Sequence, residues 1–168
     1  MNGLNGTRRL ASPVRLALAH RLGADIDGAW WPHTASVANE LPELVGVLHR
    51  SIGEVVDIRV NWSAAEGQLD LDSIVTGTRG PTGMKLSRPR LMMVAGRDAC
   101  VKLLVVPCKT SPSLGALVMR CAAAMPVEET VRRSPAFETA DRVLHVAQIE
   151  SARWLGPLPG PAEHVRAK

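Results

Sequence analysis

Two adjacent tryptophans, Trp30 and Trp31, follow an Asp-Gly turn in this 168-residue sequence. The run from Asp27 to His33 therefore brings one carboxylate, two indoles and one imidazole close together. Such a combination can line a concave site that binds a small ligand or stacks a nucleic-acid base. It can equally be structural, with both indoles plugging the end of a sheet and Asp27 capping backbone N–H groups. The sequence leaves both interpretations open.

A cluster of cations between residues 79 and 109 offers a second kind of chemistry. It contains seven Lys or Arg residues and a single acidic residue, Asp98, in a chain whose net charge is +4. Lys and Arg contacts to phosphate supply most of the affinity of RNA-binding proteins. Charged side chains on an edge hairpin also prevent neighbouring chains from pairing. An anionic partner and a solvated edge are thus the two interpretations of this cluster.

Several other chemistries find no support in the residues. The glycine-rich stretch at residues 77–85 lacks the Gly-Lys-Ser or Gly-Lys-Thr ending of a phosphate loop. The five histidines and three cysteines are not at metal-ligand spacing. Cys108, beside Pro107 and Lys109, is the one cysteine in a setting that could support a nucleophile. We therefore expect a non-catalytic protein that needs no cofactor and no metal.

The elements that must position these groups follow from hydrophobic periodicity. Alternation predicts strands near residues 14–19, 54–62, 69–71, 84–94 and 99–107, and a 3.6-residue period predicts helices near residues 39–52 and 112–125. The two tryptophans fall in the loop between the first strand and the first helix. This order predicts an α+β fold, with a single four- to five-stranded, largely antiparallel sheet and the two helices packed on one face.

Composition divides the chain into three parts. Residues 1–12 carry two Asn-Gly pairs and no periodicity, which predicts a flexible arm. Residues 13–126 form the predicted α+β domain. Residues 127–168 are interrupted by four prolines and predict a mostly disordered tail with one marginal helix. No stretch approaches 18 uninterrupted apolar residues and no secretory signal is evident, so we expect a cytoplasmic protein without a membrane partner.

Four short motifs carry a resemblance to a known family. They are Asp-Gly-Ala-Trp-Trp-Pro at residues 27–32, Glu-Leu-Pro at 40–42, Arg-Val-Asn-Trp at 59–62 and Leu-Leu-Val-Val-Pro at 103–107. On these motifs, residues 12–125 resemble an actinobacterial domain-of-unknown-function family. The resemblance implies membership and carries no activity over to this chain.

The leading hypothesis is a cytoplasmic binding domain that engages an anionic macromolecule such as RNA through the basic hairpin. One alternative is a small-molecule pocket or enzyme at the corner formed by residues 27–33. Another is a protein-interaction module that acts through the C-terminal tail. The candidate binding residues are Asp27, Trp30, Trp31, His33, Asn61, Trp62, Arg79, Arg88, Arg90, Arg97 and Lys102.

Overall fold

The computed structural model describes residues 13–62 and 89–155. The predicted arm, the predicted strand at 69–71, Arg79 and Arg88 lie outside the described residues. In chain order the elements are β1 (Leu16–Leu18), β2 (Gly28–Trp30), α1 (Val37–Ile52), β3 (Val55–Val60), β4 (Arg90–Gly96), β5 (Cys100–Val105), α2 (Pro112–Ala122), α3 (Glu129–Arg132) and α4 (Pro135–Leu155).

The five strands form one open, mixed sheet in the order β1-β2-β5-β4-β3. β2 and β5 are parallel, and the other three neighbouring pairs are antiparallel. The predicted α+β class and the largely antiparallel sheet are thereby confirmed. The parallel pair at the centre is the feature that the sequence did not predict.

β2 replaces the loop expected around the two tryptophans. Gly28 pairs with Leu18 on one side and with Leu103 on the other, which makes this short strand an internal member of the sheet. A side chain at position 28 would collide with the carbonyl oxygen of Ala17 in β1, so the glycine permits the close approach of β1. A strand of three residues is too short to show alternation, which explains why periodicity missed it.

The helices lie on both faces of the sheet, so the expectation that two helices pack on one face was wrong. Leu103 of β5 belongs to an apolar cluster with Leu44 and Leu48 of α1. The next residue, Leu104, belongs to a second cluster with Val118 of α2 and Val143 of α4. Because successive side chains of a strand point to opposite faces, α1 covers one face and α2 with α4 covers the other. The consecutive apolar residues Leu103, Leu104 and Val105 of β5 are typical of a strand buried on both faces.

α4 differs from the mostly disordered tail expected at residues 127–168. Its buried side consists of Ala140, Val143, Ala147 and Ser151, which recur at helical spacing. The Ser151 hydroxyl donates a hydrogen bond of 2.6 Å to the carbonyl oxygen of Asp25, in the loop before β2. These side chains are small and only weakly apolar, which is why the sequence signal for this helix was weak. That residues 13–126 form a domain without α4 stays a prediction.

Candidate functional site

Asp27 is a fully buried carboxylate whose two oxygens are held by backbone donors. Its Oδ1 accepts hydrogen bonds from the N–H groups of Gly23 at 2.8 Å and Ala24 at 3.0 Å. Its Oδ2 accepts a hydrogen bond from the N–H group of Lys102 in β5 at 2.9 Å. The carboxylate therefore joins the β1–β2 loop to β5, which is the structural alternative considered from the sequence.

The two tryptophans lie on opposite sides of the sheet. Trp30 is 2% exposed and belongs to the α1 cluster. Trp31 is 7% exposed and packs with α2, where the absence of a side chain at Gly115 makes room for its six-membered ring. The guanidinium of Arg15 covers the Trp31 ring at 3.9 Å from the ring centroid. Neither ring presents a free face, so base stacking at these two positions has no support.

Asn61 and Trp62 lie where the chain leaves β3, beside the start of β4. The Asn61 Nδ2 donates to the carbonyl oxygen of Pro89 at 3.0 Å, and its Oδ1 accepts from the N–H group of Leu91 at 2.8 Å. The half-buried Trp62 ring lies 5.5 Å from the guanidinium of Arg90, measured to the ring centroid. Asn61 thus ties the ends of β3 and β4 together, while Trp62 packs beside Arg90.

The described members of the basic cluster do not share one surface. Arg90 and Arg97 bracket β4, whose seven residues span roughly 20 Å at about 3.3 Å per residue. Arg97 is exposed, and its Nε lies 2.6 Å from the Glu54 carboxylate. Lys102 is 9% exposed within β5. A continuous basic face for RNA is therefore not formed by these three residues.

His33 belongs to a turn that an acidic side chain organises. Glu40 of α1 accepts hydrogen bonds from the backbone N–H groups of His33 at 2.8 Å and Thr34 at 2.7 Å, and from the Thr34 hydroxyl at 2.6 Å. Burial alone would raise the pKa of Glu40, but these hydrogen bonds outweigh it and leave the pKa below its ordinary value. The exposed His33 ring donates from Nε2 to the carbonyl oxygen of Pro13 at 2.7 Å.

A crevice opens where the parallel strands β2 and β5 end. After β2 the chain enters α1 on one face of the sheet, and after β5 it enters α2 on the other face. In open sheets, ligands bind outside the carboxyl ends of parallel strands at the place where successive connections diverge in this way. The residues lining this crevice are Pro32, Thr34, Ala35, Val37, Arg90, Val105, Val106, Pro107 and Cys108.

The crevice is shallow and mostly apolar, with three functional groups. Arg90 supplies the charge, Thr34 a hydroxyl and Cys108 a half-exposed thiol. Its free volume is about 20 Å³, whereas a site that encloses a small molecule has about 300–1,000 Å³. The geometry therefore fits one chemical group of a ligand rather than a whole enclosed molecule. Of these residues, only Arg90 was a candidate binding residue from the sequence, because β2 was not recognised as a strand.

The fold and the crevice together define an α+β domain with an open mixed sheet and a crevice at the end of its parallel pair. A family of unknown function, DUF5994, matches residues 15–122, and the chain belongs to that family. The match runs from just before β1 to the end of α2 and stops before α3 and α4. The expected membership of a family of unknown function is thereby confirmed, over residues 15–122, while the signature motif and the actinobacterial origin stay predictions.

Neither the curated proteins nor the solved structures contain a significant match to this chain. Within residues 13–62 and 89–155, no group of three or more His, Cys, Asp or Glu side chains is placed to hold a metal ion. In the same part of the chain, no helix combines the length and the apolar character that crossing a membrane requires.

Proposed function

We propose that this domain binds a ligand through one anionic group, a phosphate or a carboxylate, which enters the crevice and meets Arg90. The observation that carries the proposal is the divergence of the chain after β2 and β5, which opens the crevice beside Arg90. The planar guanidinium of arginine matches the geometry of phosphates and carboxylates. Apolar walls strengthen the attraction, because charges interact more strongly where water is partly excluded.

Binding without catalysis fits the groups around the crevice better than a reaction does. The Cys108 thiol would need an adjacent base to act as a nucleophile. The His33 imidazole and the Glu40 carboxylate, two groups beside the crevice-lining turn that could act as a base, are engaged with the Pro13 carbonyl and with the backbone of the turn. Both groups already stabilise the turn through these hydrogen bonds. Anion binding is therefore a simpler function for this site than nucleophilic catalysis by Cys108.

Two sources could supply the anionic group. A small phosphorylated or carboxylated molecule would need only the crevice, whereas RNA engaging the basic hairpin would need Arg97 and Lys102 as well. The separation of Arg90 from Arg97 along β4, and the pairing of Arg97 with Glu54, favour the local site. RNA binding through the basic hairpin becomes the competing outcome of the experiment.

The test is a titration of the ¹⁵N-labelled protein with inorganic phosphate and with acetate, followed by amide chemical shifts. Shifts are expected at Thr34, Ala35, Val106 and Cys108, which line the crevice. Arg90→Met should reduce the size of these chemical-shift changes at least about tenfold, since the positive charge that binds the anion is lost. Arg97→Met is the matched control, because it removes the same charge from the other end of β4.

The RNA outcome is checked with a labelled single-stranded oligonucleotide at about 50–200 mM salt. Four phosphate contacts would give a slope of log affinity against log salt of about −3. If the parent protein shows a slope of that size, and the slope becomes equally shallower in the Arg90 and Arg97 variants, the basic-hairpin hypothesis is supported and the crevice proposal is wrong. If phosphate, acetate and the oligonucleotide all fail to shift the crevice amides, the proposed function is wrong.

A further inference from the structure

We infer that Arg15 and Glu40 are positioning residues that hold one wall of the crevice, Arg15 through its carbonyl groups and Glu40 through its amide groups. The wall segment is defined as residues 31–34, which connect β2 to the crevice-lining residues before α1. The role of these residues in ligand binding rests on the proposed function. Their positioning role rests on the contacts that they make with the wall segment.

Arg15 holds the carbonyl groups of the wall segment. Its Nε donates to the carbonyl oxygen of Trp31 at 3.0 Å, and its Nη2 donates to the carbonyl oxygen of Pro32 at 2.8 Å. The Arg15 carbonyl in turn accepts a hydrogen bond from the Trp31 N–H group at 2.9 Å. With the guanidinium also stacked on the Trp31 ring, this one residue fixes both the backbone and the side chain of the wall.

Glu40 holds the amide groups of the same segment. Its two carboxylate oxygens accept the N–H groups of His33 and Thr34, one oxygen each, and the Thr34 hydroxyl as well. A cation therefore binds the carbonyls of residues 31 and 32, while an anion binds the amides of residues 33 and 34. Hydrogen bonds to charged groups are stronger than those between neutral groups, so the segment is held more firmly than an ordinary turn.

The two charges also interact with each other. Burial lowers the pKa of Arg15, and the negative charge of Glu40 opposes that shift. Neither positioning residue can be replaced by its usual substitute. Lysine lacks the planar fork that reaches two carbonyls, and glutamine offers one acceptor oxygen where Glu40 uses two.

The test compares Arg15→Lys and Glu40→Gln with the controls Arg21→Lys and Glu43→Gln. Arg21 lies exposed in the β1–β2 loop and Glu43 lies exposed on α1. Each control therefore makes the same change in charge as the variant that it is compared with, at a site away from the wall segment. Hydrogen exchange at the amides of His33 and Thr34 should speed up about tenfold in Glu40→Gln, because the charge-assisted hydrogen bonds of these amides are weakened. Exchange at the amide of Trp31 should speed up in Arg15→Lys, because the guanidinium no longer holds the carbonyls of residues 31 and 32. Exchange at Leu48 and Ile52 in the core of α1 should not change.

The affinity for inorganic phosphate, measured on the same variants, should weaken about three- to tenfold, as expected when a binding site loses its preorganisation. A uniform rise in exchange across the domain would show that the two residues only stabilise the fold, and an unchanged wall segment would also overturn the inference. If phosphate does not bind the parent protein but the local exchange pattern appears, the proposed function fails while the positioning of the wall segment stands. If phosphate affinity is unchanged despite faster exchange, the wall segment does not shape the site.

Discussion

Asp27 shows how one residue can determine the position of an entire strand. Its side chain accepts two N–H groups of the β1–β2 loop and one of β5, and its own N–H group donates to the Lys102 carbonyl at 2.8 Å. A buried charge is tolerated only where it is well hydrogen-bonded, and here backbone donors meet both oxygens. The parallel pairing of β2 with β5 begins directly after this contact.

Asp27→Ala should lower the free energy of unfolding by about 3 kcal/mol, because it leaves the buried N–H group of Lys102 without an acceptor and frees the loop amides of Gly23 and Ala24. Asp27→Asn should be nearly as damaging. Whichever way its amide turns, the NH₂ group meets a backbone N–H group that needs an acceptor. Urea denaturation at pH 7 measures both values. Asp25→Asn, at an exposed neighbouring position, is the control and should stay within about 0.5 kcal/mol of the parent.

If Asp27→Asn is as stable as the parent, the carboxylate is not needed for structure. The residue would then return as a candidate for direct ligand binding.

Among the elements, α2 packs closely against the end of β2 because the helix has a glycine, without a side chain, at the contact. Gly115 lies inside α2, directly against the six-membered ring of Trp31. A glycine inside a helix normally costs about 1 kcal/mol relative to alanine. Here the absence of a side chain at Gly115 allows α2 to approach Trp31, the first residue of the wall segment. The helix and the crevice wall are therefore packed together.

Alanine substitutions at two helical glycines should therefore have opposite signs. Gly115→Ala should destabilise the protein by about 1–3 kcal/mol, because its methyl group would overlap the Trp31 ring and overpacking outweighs the gain in helix propensity. Gly46→Ala in α1 meets no neighbouring atom and should stabilise by about 0.5–1 kcal/mol. Thermal and urea unfolding of the two variants test this. Stabilisation by both would show that α2 can move away from Trp31 at little cost.

The elements also show what the sequence could and could not predict. α1 and the β4–β5 hairpin were predicted because each presents at least six residues with a clear period. β2 and the two-sided packing were missed, because they depend on a pairing between residues 75 apart in the chain. Arg90 and His33 were candidates from their chemistry alone. The roles of Arg15 and Glu40 were not predictable, since they depend on hydrogen bonds to the backbone of residues 31–34 that form only in the folded chain.

For the molecule as a whole, α4 completes a core that the matched family region leaves open. The family match ends at residue 122, yet the buried Ala140, Val143 and Ala147 of α4 belong to the same apolar cluster as Leu91 and Leu104 of the sheet. Removing α4 would expose to water the part of this face, on β4 and β5, that α4 covers. The domain expected at residues 13–126 is thus smaller than the core that the structure shows.

Ending the chain at residue 134 should abolish or strongly broaden the cooperative unfolding transition, compared with a chain that ends at residue 155. Val143→Asp should have a similar effect, lowering stability by about 3 kcal/mol or more, because it buries a charge without a partner. Ile149→Asp is the matched control, since Ile149 is an exposed residue of the same helix. Circular dichroism during urea titration measures all four proteins.

A truncated chain that unfolds as sharply as the longer one would restore the boundary near residue 126. In that case the contacts of α4 would contribute little to stability.

The internal position of β2, between β1 and β5, also has a consequence during synthesis. Its parallel neighbour β5 lies 75 residues further along the chain. At about 5–20 residues per second, β5 emerges from the ribosome roughly 4–15 seconds after β2. Until then β2 can pair only with β1, and an isolated two-stranded hairpin is marginally stable in water. The two indoles therefore cannot complete their buried packing until β5 has been synthesised, and Trp31 must also wait for the helix that contains Gly115.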